Sequence, residues 1–125
     1  MTPMNPTIKA EWVAALRSGE YQQGTGTLSM DGEFCCLGVL TDIAVEHGVC
    51  SWVSTEDGLG VNRSGATETS VLPPVVMAWA GLASANPEID LTNTAISEPD
   101  QHDLAHLNDD GITFAQIADL IEEQL

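Results

Sequence analysis

The side chains best suited to chemistry lie in residues 33–50, EFCCLGVLTDIAVEHGVC. This segment holds all three cysteines, Cys35, Cys36 and Cys50, together with His47. A structural zinc site needs four such ligands, and neighbouring helix residues point about 100° apart, so Cys35 and Cys36 cannot both face one metal. A reactive thiolate needs nearby positive charge, whereas this segment is apolar and its charges are acidic. We therefore predict that the two adjacent cysteines belong to the core.

A second candidate for chemistry is the sequence HDLAH at residues 102–106. On a helix, His102 and His106 would share one face, with Asp103 where zinc hydrolases carry a general-base glutamate. Against this hypothesis, aspartate is shorter than glutamate, the stretch is short and polar, and no third ligand is indicated. A zinc-dependent hydrolase is therefore our third functional hypothesis. The favoured interpretation is two solvated histidines, with no metal and no cofactor.

Two further motifs have simpler explanations than ligand binding. Asn108, Asp109 and Asp110 could suggest calcium, but the twelve-residue loop ending in glutamate is absent, and a turn before a helix cap explains them. Gly24 and Gly26 could cradle a phosphate. Such loops require a strand before them and a helix after them, and the sequence predicts neither here.

The hydrophobic pattern predicts one α+β domain over residues 1–125, with four to five helices and two short β-hairpins. Apolar residues recur at helical spacing, and Thr113 and Gln116 form a capping box before the last helix. Asp-Gly turns indicate the hairpins. A loop is expected over residues 64–70 and a short strand near Ile89. The predicted helices are 7–18, 36–47, 71–82, 100–108 and 114–125, and the predicted hairpins are 23–35 and 49–62.

The apolar faces of these helices predict a shared core. Gly38 interrupts the second helix at a cost of about 1 kcal/mol relative to alanine, so we expect another backbone to approach it closely. The residues predicted to be buried together are Trp12, Leu37, Leu40, Ile43, Trp79, Ile117 and Ile121.

Charge is the most unusual property of the chain. Nineteen acids face three bases, Lys9, Arg17 and Arg63, which gives a formal net charge of −16. Residues 1–63 carry eight acids and three bases, net −5, and residues 64–125 carry eleven acids and no base, net −11. This charge opposes direct binding to nucleic acids or to anionic membranes, and it favours either a basic protein partner or merely solubility. The odd number of cysteines and the absence of a signal-type start or membrane segment predict a cytoplasmic protein.

Three motifs in combination resemble a small uncharacterised family of tailed phages and bacteria, many of them actinobacterial. The motifs are Gln23-Gly24, Cys35-Cys36-Leu37-Gly38 and Leu107-Asn108-Asp109, and with the terminal helices they span most of the chain. The resemblance implies a phage or prophage accessory protein that works in the host cytoplasm. It carries over no activity, cofactor or catalytic residue.

The leading functional hypothesis is a non-enzymatic accessory protein that binds a basic host protein, in its strongest form as a nucleic-acid mimic. Its expected binding face consists of Asp100, Asp103, Asp109 and Asp110. The alternative hypothesis is a small-ligand or nucleotide-binding protein. Its cleft would be formed by Gln23, Gly24, Gly38 and Asn108, although a structural hydrogen-bond network is the favoured purpose of these four residues.

Overall fold

The computed structural model describes residues 4–55, 58–63, 66–69, 71–91 and 101–125. Its helices and strands confirm the predicted α+β class. The helices are Pro6–Arg17 (α1), Cys36–Glu46 (α2), Pro74–Ala80 (α3), Leu104–Asp109 (α4) and Phe114–Gln124 (α5). The strands are Gln22–Gln23 (β1), Ser29–Met30 (β2), Glu33–Phe34 (β3), Trp52–Thr55 (β4), Gly58–Arg63 (β5), Ala66–Glu68 (β6), Glu88–Asp90 (β7) and Gln101–Asp103 (β8).

The helix termini follow capping chemistry. Asn5 caps α1, because its side chain accepts hydrogen bonds from the N–H groups of Thr7 and Ile8 at 2.9 and 3.3 Å. The capping box predicted for α5 is confirmed, with Thr113 and Gln116 bonded reciprocally. Within the described ranges, no helix combines the length and hydropathy needed to cross a bilayer.

The main sheet contains both predicted hairpins. Strands β2 and β3 are joined through Asp31 and Gly32, whose φ angles of 53° and 83° suit a tight Asp-Gly turn. Strands β4 and β5 pair antiparallel, with Trp52 opposite Val61. The strand order is β1-β3-β2-β5-β4, β1 lies parallel to β3, and β6 pairs with β5.

Two segments differ from the sequence prediction. The loop predicted over residues 64–70 contains strand β6, which has no alternating pattern of its own and forms because β5 extends far enough to pair with it. The helix predicted over residues 100–108 begins only at Leu104. Residues 101–103 form β8 instead, which pairs antiparallel with β7. The strand predicted near Ile89 is confirmed.

The core is built around α2, which contacts α1, α3 and α4, while α5 packs against α1. Residues 36–41 are buried on every side, in agreement with the apolar start of this helix. The predicted core is confirmed for Trp12, Leu37, Leu40, Ile43, Ile117 and Ile121. Trp79 is the exception. It is only half-buried and packs at the edge of the core, where its ring centre lies 5.4 Å from that of His47.

Candidate functional site

Asn108, near the C-terminal end of α4, links three segments that are distant in the sequence. Its Oδ1 accepts hydrogen bonds from Gln23 Nε2 at 3.0 Å and from the N–H of Cys36 at 3.1 Å. Its Nδ2 donates to the carbonyl of Gly24 at 2.7 Å and to Asp109 Oδ1 at 3.4 Å. An amide offers two acceptor positions and two donor hydrogens, so the capacity of this fully buried side chain is used completely.

Gly38 lies where the start of α2 meets the backbone before β2. A Cβ atom at this position would lie 1.8 Å from the carbonyl oxygen of Leu28, so no side chain fits without a backbone shift. The N–H of Cys35 donates to the same carbonyl at 3.2 Å. The predicted close approach of another backbone is therefore confirmed, and it explains why a glycine stands inside this helix.

The residues of the hypothetical cleft surround the start of α2. There they form internal hydrogen bonds and close backbone contacts. Gln23 Nε2 donates a second bond to the carbonyl of Ile112 at 2.8 Å, which ties the loop to the turn before α5. Gly38 and Asn108 are buried, whereas Gln23 and Gly24 are half-buried. A ligand at Asn108 would have to replace internal hydrogen bonds. The geometry thus favours a structural network over a ligand cleft.

The adjacent cysteines also belong to the core, as predicted. Cys35 and Cys36 are 3% and 0% exposed. Burial raises the pKa of the Cys35 thiol to about 11 and that of Cys36 well above its ordinary value. Cys36 Sγ donates to the carbonyl of Leu104 at 3.5 Å, and Cys35 Sγ accepts from the N–H of Gly38 at 3.3 Å. Both thiols therefore remain protonated at neutral pH, where they are poor nucleophiles.

The predicted acidic face divides into residues with different structural tasks. Asp103 caps α4 by accepting from the N–H of His106 at 2.7 Å, and His106 Nε2 lies 3.1 Å from Asp110 Oδ2. These three residues follow one another along one side of α4. Asp109 instead accepts from the N–H of Gly26 at 3.0 Å. Asp100 lies outside the described residues.

The helical arrangement assumed for a zinc site is wrong. His102 belongs to β8, opposite Ile89, whereas His106 lies one turn into α4, so the two histidines do not share a helix face. Asp103 begins the helix as its N-cap, which is the physical reason why the helix does not extend back to His102. In the part of the chain that the structure describes, no group of three or more His, Cys, Asp or Glu side chains could hold a metal ion.

A cavity of about 350 Å³ lies between the chain ends and the loop that follows α3. Its apolar wall includes Met4, Leu82, Pro87 and Leu125. The amide of Gln124 lines it too, but this amide is bonded to the N–H and the carbonyl of Asp90 at 2.9 and 2.8 Å. The cavity thus offers apolar surface, and its glutamine is already engaged. No pattern in the sequence predicts it, because its walls come from three separated parts of the chain, around residues 4, 81–88 and 124–125.

Asp42 organises an aromatic cluster that the sequence analysis also missed. Its Oδ2 accepts from the hydroxyl of Tyr21 at 2.6 Å, and its Oδ1 accepts from Trp52 Nε1 at 2.9 Å. Phe34 lies between the two rings, with ring-centre distances of 5.1 Å to Tyr21 and 6.2 Å to Trp52. All four side chains are half-buried. The only signal in the sequence was that Asp42 stands on the polar side of α2.

The fold and these sites define a small α+β domain that is organised by a buried amide and has an acidic surface. The chain belongs to the family described as Domain of unknown function (DUF8296), whose sequence model matches residues 4–125. The resemblance to a small uncharacterised family is confirmed to this extent. Neither the comparison with curated proteins nor the comparison with solved structures returned a match.

Proposed function

We propose that this protein is a non-enzymatic acidic binding protein whose partner is a basic protein. The surplus of sixteen negative charges carries the proposal. Every carboxylate whose exposure is described lies at least partly at the surface, and only Asp42 and Asp103 are half-buried. The exposed acids are Glu11, Glu20, Asp31, Glu33, Glu46, Glu88, Asp90, Asp109, Asp110, Asp119, Glu122 and Glu123.

Internal neutralisation can remove only a small part of this surplus. Arg17 of α1 is held by two carboxylates of α5, Asp119 at 2.6 Å and Glu122 at 2.9 Å. Hydrogen bonds to these two carboxylates raise the pKa of the arginine. Only two other basic residues, Lys9 and Arg63, remain for the other acids. Unneutralised charge of this size opposes compaction, so a basic partner that uses the field would offset a cost of the fold.

The resemblance to phage proteins narrows the proposal to a host partner. An accessory protein of this kind would act in the host cytoplasm. A DNA-binding protein is a suitable target, because its phosphate-binding cations would meet carboxylates instead. Asp103 and Asp110 lie beside His106 on one side of α4, and Asp109 and Asp110 are exposed.

Affinity purification from the native host, followed by mass spectrometry, would identify the partner. We expect its association rate to fall steeply between low and physiological ionic strength, because screening weakens electrostatic steering. Changing Asp100, Asp103, Asp109 and Asp110 to asparagine should slow association and leave the fold intact. Asparagine is as good an N-cap as aspartate and keeps the Oδ1 acceptor that Gly26 uses.

A matched variant distinguishes the effect of this face on the association rate from the effect of the total charge. It neutralises four exposed carboxylates elsewhere, through Asp31→Asn, Glu33→Gln, Glu88→Gln and Glu123→Gln. Slower association in the first variant alone assigns binding to the face near α4, whereas equal slowing in both assigns it to the overall field. A partner whose binding ignores salt and both variants would show that the charge serves only solubility.

A further inference from the structure

We propose that the cluster of Tyr21, Phe34, Asp42 and Trp52 receives an arginine side chain of the basic partner. This inference rests on the proposed function and deepens it, because it adds to the acidic surface a specific site for one side chain of the partner.

The carboxylate of Asp42 has acceptor capacity left for a guanidinium group. Each of its oxygens accepts one hydrogen bond, from Tyr21 and from Trp52 respectively. A carboxylate oxygen has two lone pairs, so one acceptor position remains on each oxygen. A carboxylate with acceptor capacity left on both oxygens can accept from the paired N–H groups of arginine. Among the described side chains, no lysine, arginine or histidine pairs with Asp42.

The aromatic rings supply the second element of an arginine site. Cations bind over the faces of aromatic rings, and the planar guanidinium also stacks on them. Three of the six aromatic residues in the chain meet here, from the segments before β1, in β3 and in β4. Strand β4 stands at the end of the strand order in the described sheet, and the rings are only half-buried. A partner can therefore approach this cluster from solvent.

The surrounding charges reinforce the attraction for a cation. Burial and the hydrogen bond to Asp42 raise the pKa of Tyr21, and the charges of Glu46 and Glu20 raise it further. Both glutamates are exposed and lie near enough to act on this ring. The aromatic surface thus lies within a negative field, which attracts a cation to it.

The test uses the intact protein and an N-acetylated tetra-arginine peptide, with tetra-lysine as the comparison probe, at low ionic strength. Binding is followed by NMR titration of the tryptophan indole N–H signals. We expect the Trp52 signal to shift, the Trp79 signal to stay unchanged, and arginine to bind more tightly than lysine. Phe34→Leu and Trp52→Leu should weaken arginine binding about fivefold or more and remove the preference over lysine.

Trp79→Leu is the matched control, because Trp79 is another half-buried tryptophan and lies against His47, outside the cluster. Its arginine binding should stay within about twofold of the wild type. Circular dichroism verifies that each variant is folded, and Phe34→Leu removes a ring without removing a hydrogen bond to Asp42.

The outcomes separate the inference from the proposed function. If tetra-arginine binds but shifts no Trp52 signal, and Phe34→Leu and Trp52→Leu bind it as Trp79→Leu does, the aromatic site is wrong and the acidic surface alone attracts the peptide. If neither peptide binds at low ionic strength, the proposed function fails and the inference fails with it.

Discussion

At the scale of single residues, Asn108 has the largest number of structural consequences. One amide satisfies the N–H at the start of α2, the side chain of Gln23 and the carbonyl of Gly24. Without Asn108, each of these groups would lose a hydrogen-bond partner in or beside the core. The Leu-Asn-Asp motif that suggested a family therefore marks a hydrogen-bonding requirement of the fold.

Replacing Asn108 by alanine should destabilise the protein by roughly 1–3 kcal/mol, the usual cost of leaving buried polar groups unpaired. Urea unfolding measures the change. Asp109→Ala is the control, since Asp109 also bonds a loop N–H but is exposed. An Asn108→Ala variant no less stable than the control would show that water replaces the amide.

The thiols provide a direct test of the core assignment. Cys50 is half-buried, whereas Cys35 and Cys36 are almost inaccessible. In the native protein, a maleimide should modify Cys50 first and reach the adjacent pair only after unfolding. Mass spectrometry after partial labelling distinguishes the sites. Rapid labelling of Cys36 in the folded protein would contradict its position in the core.

The raised pKa of Cys35 predicts a loss of stability at alkaline pH. The thiol titrates near 9 when unperturbed and at about 11 in the folded protein. Between these values the unfolded chain releases the proton and the folded chain keeps it, so the free energy of unfolding falls as pH rises. A pKa shift of this size corresponds to a loss of roughly 2–3 kcal/mol in the free energy of unfolding.

Urea unfolding at a series of pH values should show this decline. Cys35→Ser is the control, because a serine hydroxyl does not titrate in this range but can still accept from the N–H of Gly38. Its decline should be smaller than that of the wild type. Identical pH profiles would show that other groups dominate the pH dependence of stability, such as the hydroxyl of Tyr21, whose pKa is also raised.

At the scale of elements, α2 is the organising helix. Its first turns are buried on every side, Gly38 lets a loop cross them, and the polar side further along carries Asp42. The helix thus joins two sites, the amide network at its start and the aromatic cluster farther along. The helix contacts β3 of the first hairpin, and Trp52 of the second hairpin donates a hydrogen bond to Asp42.

Gly38→Ala tests the crossing of α2 and the segment before β2. In an exposed helix, this change stabilises by about 1 kcal/mol. Here the new Cβ would collide with the Leu28 carbonyl, so we expect a destabilisation of roughly 1–3 kcal/mol. Ala14→Gly, at an exposed position of α1, measures the ordinary propensity difference in the same protein. A stabilised Gly38→Ala variant would refute the close crossing.

At the scale of the whole molecule, the net charge of −16 sets the balance between stability and recognition. Repulsion among surface carboxylates opposes folding, and added salt screens it. We therefore expect the melting temperature to rise with sodium chloride concentration. The variant with Asp31, Glu33, Glu88 and Glu123 neutralised should melt at a higher temperature in low salt and gain less from added salt. A melting temperature that falls with salt would indicate that attractive ion pairs dominate.

Local physics was sufficient for much of the fold. Helical periodicity, caps and Asp-Gly turns are properties of neighbouring residues, and they predicted the α+β class, the final helix with Thr113, and both hairpins. The burial of Cys35 and Cys36 followed from their apolar surroundings. The glycine at position 38 was informative for the same reason, because its cost in a helix demands a compensating contact.

The tertiary structure alone decided the pairings between distant segments. Strand β6 exists because β5 is beside it, and His102 is in a strand because β7 is beside it. Asp42 gained its aromatic neighbours, Tyr21 and Trp52, in the same way. These contacts depend on how the chain closes its loops, and the types and spacing of residues along a single sequence do not specify that closure.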